Sequence, residues 1–428
     1  MTSPAHIPID RSRFLSSLDA LAAIGAIPGG GVTRLAFSSE DRAGRDWVEA
    51  RMRALGMTVS IDAVGNLLGV RPGAGEGPMV LMGSHTDTVG SGGRFDGSLG
   101  VLAGLEAVAA MNDAGVVTEQ PVGVASFVNE EGVRFMPDLM GSLYVTHKLE
   151  ADAIRAIVGV DGTSIGENMD FTAYTGSREW RDLPIGAYLE LHIEQGPVLE
   201  REAKTIGVVE GVQGLSWIEV VFEGASNHAG TTPMALRRDA GYAAGALVRF
   251  VRELAVGIGE PQRTTVGSIR LSPNIINVIA REAVVTVDLR HPDDGGLAAA
   301  EDRVESFVRD LAVREGLGVH TRKLARVAPV AFNPTLIGHV QASADRRGYT
   351  SRRMISGASH DAQIMAAHCP AAMIFVPSRG GVSHDVMEYT APEHLVAGAE
   401  VLLDAALMAA GVGGAIGGTN PGRQRGNT

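Results

Sequence analysis

Leu81-Met82-Gly83-Ser84-His85-Thr86-Asp87-Thr88-Val89, running on through Gly92-Gly93-Arg94-Phe95-Asp96-Gly97, is the stretch that decides the fold. Its lead-in, Met79-Val80-Leu81-Met82, is apolar with no turn residue inside it, as a buried parallel strand requires. A histidine, two aspartates and a glycine-rich loop follow, and a helix is expected to open near Ser98. Ligands of open α/β sheets gather at the carboxyl ends of the strands, where this loop would lie. His85 and Asp87 are two residues apart, so in extended chain they share a side. Asp87 can then hold the imidazole while the other ring nitrogen binds a metal. Taken alone, the stretch reads equally well as a polar loop with one exposed histidine and two solvated acids.

Working outward, Val122 to Val128 is a second buried strand and Ser98 to Met111 the helix between them, the strand–helix–strand pattern of a helix-covered parallel sheet. Arg13 to Ala26 and Ser39 to Leu55 have helical spacing; Met57 to Ile61 and Leu67 to Arg71 alternate as strands around a turn. Asp152 to Asp182 is expected to hold helix and long loops. Ala187 to Ile193 is another strand. From Gly214 the texture changes: Trp217 to Phe222, Thr265 to Leu271, Ile275 to Ile279 and Val284 to Leu289 alternate, with helices over Asp239 to Val256 and Leu297 to Arg314. This reads as an α+β insert of about four strands and two helices with one polar face. The α/β texture returns with a helix over Leu336 to Arg347, a buried strand over Ala371 to Val376 and a closing helix over Pro392 to Ala410. The expected domains are therefore 1–213 with 331–428, interrupted by 214–330, and the Gly- and Asn-rich tail 411–428 is expected to be poorly ordered.

With 428 residues the chain exceeds one ordinary core, which agrees with two domains. A net charge of −12 argues against nucleic-acid and anionic-membrane partners. One cysteine, Cys369, permits no internal disulfide; it reads as a small core residue, and a reducing, cytoplasmic compartment is expected. No leader-like or membrane-spanning apolar run occurs.

Three more strand ends carry acids or histidines: Asn129-Glu130-Glu131-Gly132, His192-Ile193-Glu194-Gln195, and Gly381-Val382-Ser383-His384-Asp385. Neighbouring side chains in extended chain point to opposite sides, so one of Glu130 and Glu131 can bind a metal while the other faces a substrate as general base. Singly, each is an ordinary polar loop. Together, His85, Asp96, Glu131, His192 and His384 form a hard, mixed N/O set suited to one or two divalent metals. His360, in Gly357-Ala358-Ser359-His360-Asp361, marks either a helix start that receives a carboxylate on its N–H groups or a plain capped helix. In the insert, Arg290 is either a bidentate carboxylate clamp or a strand-end arginine paired with a surface acid. No GxGxxG or GxxxxGK[ST] follows a strand, which sets nucleotide binding aside.

These motifs, with His228-Ala229-Gly230-Thr231-Thr232-Pro233-Met234, Pro273 to Val278 and Asp288-Leu289-Arg290, resemble the hydantoinase/carbamoylase amidases, a branch of the peptidase M20 metallohydrolases. The resemblance covers about Arg13 to Ala410. It implies a di-metal catalytic domain and an inserted lid and dimerisation domain, with two divalent ions (Zn, Mn, Co or Ni) per subunit. His85 and Glu131 would belong to different metals, Asp96 would bridge them, and His192 and His384 would complete the two spheres. Asp87 would orient His85, and Glu130 would be the general base. Gln195, His228, Asn277 and Arg290, with Ser359 and His360, would meet a carboxylate-bearing substrate, His228 across a homodimer. Ser359 stands where the family carries Gly, and Asp385 is another departure; both bear on substrate identity. The implied activity is hydrolysis of N-carbamoyl-L-amino acids. Alternatives are an allantoate amidohydrolase, a β-ureidopropionase, a hydrolase of another N-acyl amino acid, an aminopeptidase, or a metal-dependent binder without turnover; the intact Glu130 speaks against the last, and Arg290 against a free-amine substrate.

Overall fold

The computed structural model describes residues 7–177 and 180–412. They form two compact units, 7–177 and 180–210 with 332–412, and 211–331. The strands are β1 (Thr58–Ile61), β2 (Leu67–Arg71), β3 (Met79–His85), β4 (Val122–Phe127), β5 (Ile185–Ile193), β6 (Ile206–Val212), β7 (Gly214–Glu223), β8 (Arg263–Ser272), β9 (Glu282–His291), β10 (Gly318–Val327), β11 (Val330–Ala331), β12 (Ser351–Ser356) and β13 (Ala371–Val376).

One sheet has nine strands in the order β1-β2-β4-β3-β5-β13-β6-β11, with β12 also on β6. The expectation of a mostly parallel sheet holds for its centre, where β4, β3, β5 and β13 run parallel. It gives way at both sides, where β1 with β2, β2 with β4, β6 with β13 and β11 with β6 are antiparallel. The physical reason is clearest at β1 and β2: the connection between them is hairpin-sized, and a parallel pair needs a crossover of a dozen or more residues. Every residue of β3, β4 and β13 is buried. Helices Ser98–Asp113 and Pro392–Ala410 pack on these strands and on each other, and most of their residues are buried as well. That explains why both read as almost continuously apolar.

Two fully buried arginines fix the strand ends that matter below. Arg34 donates through Nε to the Thr86 carbonyl (2.7 Å) and through Nη2 to Ser98 Oγ (3.0 Å). Arg45 pairs with Asp41 (3.1 Å) and donates to the Phe127 carbonyl (3.1 Å) at the end of β4. A buried guanidinium survives only where its donors are satisfied, so each holds several backbone segments at once.

The second unit has a four-stranded antiparallel sheet, order β10-β7-β9-β8, under helices Ala240–Ile258 and Asp294–Glu315. Asp239 and Asp293 cap those helices. The apolar core lies between helices and sheet, and the alternation along β9 follows from it. Ile275 to Ile279 is not a strand: Asn274 sits at φ 52°, Ile276 is fully exposed, and among the described residues its ladder contact is a single bridge from Val278 to His228. The fourth strand is β10. It is charged and exposed along most of its length, so it shows no period and is placed by its pairing with β7.

Cys369 is buried and free. Among the described residues no helix is long and apolar enough to cross a membrane. Residues 413–428 of the tail lie outside the described residues; Gly411 and Val412 are held against Thr118 and Glu119.

Candidate active site

The carboxyl ends of β3, β4 and β5 and the loop after β13 bring five of the expected residues together. Among the described residues, three groups could hold a metal ion: His85, Asp96 and His192; Asp96, Glu131 and His384; and Glu190, His192 and His360, the donor atoms of each within 4.8 Å of one another. Asp96 belongs to the first two. Its Oδ1 is 3.1 Å from His192 Nε2 and 3.9 Å from His85 Nε2, whereas its Oδ2 is 3.3 Å from His384 Nε2. Glu131 Oε2 is 3.4 Å from the same His384 nitrogen, and Glu131 Oε1 is buried without a hydrogen-bond donor. A carboxylate with each oxygen turned to a different histidine set, beside an orphaned buried carboxylate oxygen, fits two hard cations. Glu130 faces the other way from Glu131, its Oε2 3.4 Å from His85 Nε2. Asn129, two residues beyond β4, turns the chain there at φ 51°.

Glycine at 97 is required twice over: φ is +62°, and a Cβ there would overlap the His85 ring at Nε2, Cδ2 and Cε1.

The supporting bonds differ from expectation in two places. His85 Nδ1 is oriented by the Asp87 main-chain carbonyl at 3.0 Å, while the Asp87 carboxylate is 3.7 Å away. That carboxylate instead accepts the N–H groups of Glu130 and Glu131, both at 3.3 Å, and so ties the end of β3 to the loop after β4. His360, expected at the substrate, is buried, its Nε2 3.1 Å from Ser356 Oγ and its ring centroid 4.5 Å from that of His192. Its helix does receive a carboxylate on an N–H, but the protein's own: Ala362 N donates to Glu190 Oε2 at 2.8 Å. Glu190 also accepts from Ser84 Oγ (2.7 Å) and Tyr188 OH (3.3 Å), so it braces β3 and β5 beneath the site. Ser359, next in the chain, is half-buried.

Gln195 is a second brace, donating from Nε2 to Asp96 Oδ2 at 3.0 Å. Ser383 and Glu388, which sequence reading missed, complete it: Ser383 Oγ is 3.0 Å from Asp96 Oδ2 and 3.1 Å from Glu388 Oε2. Their signal was weak, a serine and a glutamate flanking His384 in a loop.

Burial pulls the His85 imidazole down to about 4, against the opposing pull of Asp96. Burial opposes charge on His192 as well, but its hydrogen bond to Asp96 wins and holds it up at about 9. Burial would raise Asp96; the bonds from His192 and His384 outweigh it and keep the carboxyl well below its usual range. Burial and then the crowd of acids push Glu130 and Glu131 well up, with Glu131 the first such neighbour of Glu130 and Asp96 that of Glu131. A cation between them would reverse that tendency.

In the second unit, His228 is exposed and its Nδ1 accepts N–H from Gly230 (3.0 Å) and Thr231 (3.3 Å). That assigns the ring proton to Nε2, a donor facing outward. Asn277 lies in the facing loop and accepts from Ala229 N at 2.9 Å through its carbonyl. Arg290, half-buried on β9, engages Asp288 through Nε (3.1 Å) and Nη2 (3.0 Å).

Residues 81–408 match the model of Peptidase family M20/M25/M40. The chain is 37% identical over 405 residues to an N-carbamoyl-L-amino-acid amidohydrolase of Rhizobium meliloti, covering 94% of this chain and 97% of the relative. It is 35% identical over 396 residues to an allantoate amidohydrolase of Escherichia coli, covering 92% and 96%. A crystal structure of a hydantoinase/carbamoylase family amidase from Burkholderia multivorans superposes with a TM-score of 0.91 at 41% identity, covering 94% of this chain and 98% of that one.

Proposed function

Because the chain belongs to the Peptidase family M20/M25/M40 and, within it, to the hydantoinase/carbamoylase amidases, amidohydrolases acting on C–N bonds, we propose that its substrates are N-carbamoyl-L-amino acids, cleaved to amino acid, carbon dioxide and ammonia. The observation that carries the hydrolytic chemistry is Asp96, shared between the His85/His192 and Glu131/His384 sets with Glu130 beside them, and the substrate class rests on the 37% identity to an N-carbamoyl-L-amino-acid amidohydrolase. His85, Asp96 and His192 would hold one divalent cation and Asp96, Glu131 and His384 a second; when bound, such ions polarise the scissile carbonyl and acidify a water. Glu130 Oε2 takes the water's proton and delivers it to the leaving nitrogen. Glu130 Oε2 lies 3.4 Å from His85 Nε2, beside the donors that would hold the first cation.

Arg290, Asn277 and the Nε2–H of His228 supply the donors for the substrate carboxylate, and 211–331 acts as lid and dimerisation domain of a homodimer. Support for the dimer comes from β8, an edge strand with Ile269 and Leu271 exposed. A cytoplasmic location is proposed on the single buried cysteine.

The similarity to an allantoate amidohydrolase keeps one second reading in view. A screen of the metal-loaded protein against carbamoyl-L-amino acids, allantoate, carbamoyl-β-alanine and acyl-amino acids, reading ammonia and free amine, separates them. Preference for allantoate over every carbamoyl-L-amino acid would replace the proposal.

A further inference from the structure

The loop after His384 does more than carry that ligand. Glu388, four residues on, is buried, and its Oε1 accepts the main-chain N–H groups of Phe95 (3.0 Å) and Asp96 (3.3 Å). Its Oε2 takes Ser383 Oγ at 3.1 Å. The carboxylate lies flat on the backbone of Gly93, where any Cβ would run into it. One side chain thus bolts the loop bearing Asp96 to the loop bearing His384, which are nearly 300 residues apart in sequence.

The same bolt sets hydrogen-bonding around Asp96. Gln195 Nε2 has two protons and reaches both Asp96 Oδ2 (3.0 Å) and Ser383 Oγ (3.3 Å). Ser383 has one proton and two carboxylate oxygens in reach. When that proton goes to Glu388, Asp96 Oδ2 keeps one protein donor and a lone pair towards His384; without Glu388 it turns to Asp96 and loads Oδ2 twice. Asp96 Oδ1, on the His85/His192 side, has neither donor.

We propose that Glu388, acting through Ser383 and the Asp96 main chain, is a positioning residue that selectively sets the cation position formed by Asp96, Glu131 and His384. The two positions are then unequal. The His85/Asp96/His192 position is buried throughout; the other depends on a half-exposed histidine, its side chain 51% exposed against 2% for His85, and on this loop-to-loop bond. The inference rests on the two-cation reading above.

Its test is manganese titration of chelated full-length protein by calorimetry, with bound metal counted after gel filtration and thermal unfolding of each metal-free protein. Wild type, Glu388→Gln and Ser383→Ala are compared. Glutamine keeps the size and can still accept from Phe95 and Asp96, but must donate to Ser383. Wild type should bind two equivalents. Glu388→Gln should keep the tighter and lose about 10–100-fold at the weaker, the range for groups behind a metal ligand, whereas Ser383→Ala, which leaves Asp96 Oδ2 its Gln195 donor alone, should keep both. One equivalent in wild type would remove the two-cation reading itself. Two equivalents with both affinities unchanged in Glu388→Gln, or both weakened alike, or an equal loss in Ser383→Ala, would overturn the role of Glu388. A lowered unfolding temperature of metal-free Glu388→Gln with unchanged manganese affinities would show a purely structural glutamate and also overturn it.

Discussion

Gly97→Ala gives the sharpest test of how the site is built. The substitution adds one methyl group at φ +62°, directly against the imidazole of His85. Two costs can be separated. Backbone at φ 62°, ψ −48°, outside the wells open to side-chain-bearing residues, costs a non-glycine residue about 1–3 kcal/mol. The methyl also forces the ring back by about 1 Å to reach ordinary van der Waals distance. His85 is buried and fixed by its bond to the Asp87 carbonyl, so retreat means overpacking, worth about 1–3 kcal/mol more. A displacement of that size is about five times the tolerance of a metal–ligand distance, and misplacing a reacting group so far costs about 100-fold in rate. Gly162→Ala supplies the control: its φ is +81°, but nothing lies within 4 Å of its Cβ. Urea unfolding of the chelated proteins should show a loss of about 2–6 kcal/mol for Gly97→Ala and about 1–2 kcal/mol for Gly162→Ala. Manganese affinity at the tighter position and kcat/KM should fall about 100-fold or more only in Gly97→Ala. Equal losses in the two variants, or wild-type manganese affinity in Gly97→Ala, would refute the close approach as the reason for glycine.

Glu130→Gln should retain bound manganese and lose turnover by at least about 10²–10⁴-fold, whereas Glu131→Gln should lose metal first; equal metal content in the two would undo this division of labour. At about pH 7.5, manganese binding to chelated protein should release at least one proton, because His192 is held up at about 9 while His85, at about 4, is already neutral. Affinity should therefore rise with pH towards about 9, and calorimetric heats independent of the buffer's ionisation heat would contradict it. Arg290→Ala and Arg290→Lys should cut kcat/KM for carbamoyl-L-amino acids by roughly 30-fold to several-thousand-fold without changing metal content; equal hydrolysis of acid and amide-capped substrate by wild type would end the carboxylate reading. Burial holds the Cys369 thiol up at about 12, so the native protein should resist a disulfide reagent at about pH 8 and yield one thiol per chain when denatured.

Much of the catalytic unit was legible because local rules sufficed. Met79–His85 and Ala371–Val376 are buried on both faces, so they read as short apolar runs, and helix Pro392–Ala410 announced itself by a proline start and an unbroken apolar face. The histidines and acids stood near the ends of such strands, where a parallel sheet opens, which is why His85, Asp96, Glu131, His192 and His384 read as one candidate set, and the structure does bring them together. What the sequence could not carry was anything set by partners distant in the chain. β10 is a strand because β7 offers it a ladder, while Ile275 to Ile279 alternates and yet is turned away at Asn274. The bond orienting His85 comes from a main-chain carbonyl, which no side-chain pattern reports. His360 looks like a loop histidine until Ser356 and His192 close around it. Glu388 lies 292 residues from the amide of Asp96 that it accepts. Side-chain periodicity records which face is buried; which distant loops meet there is decided only when the sheet brings its strand ends together.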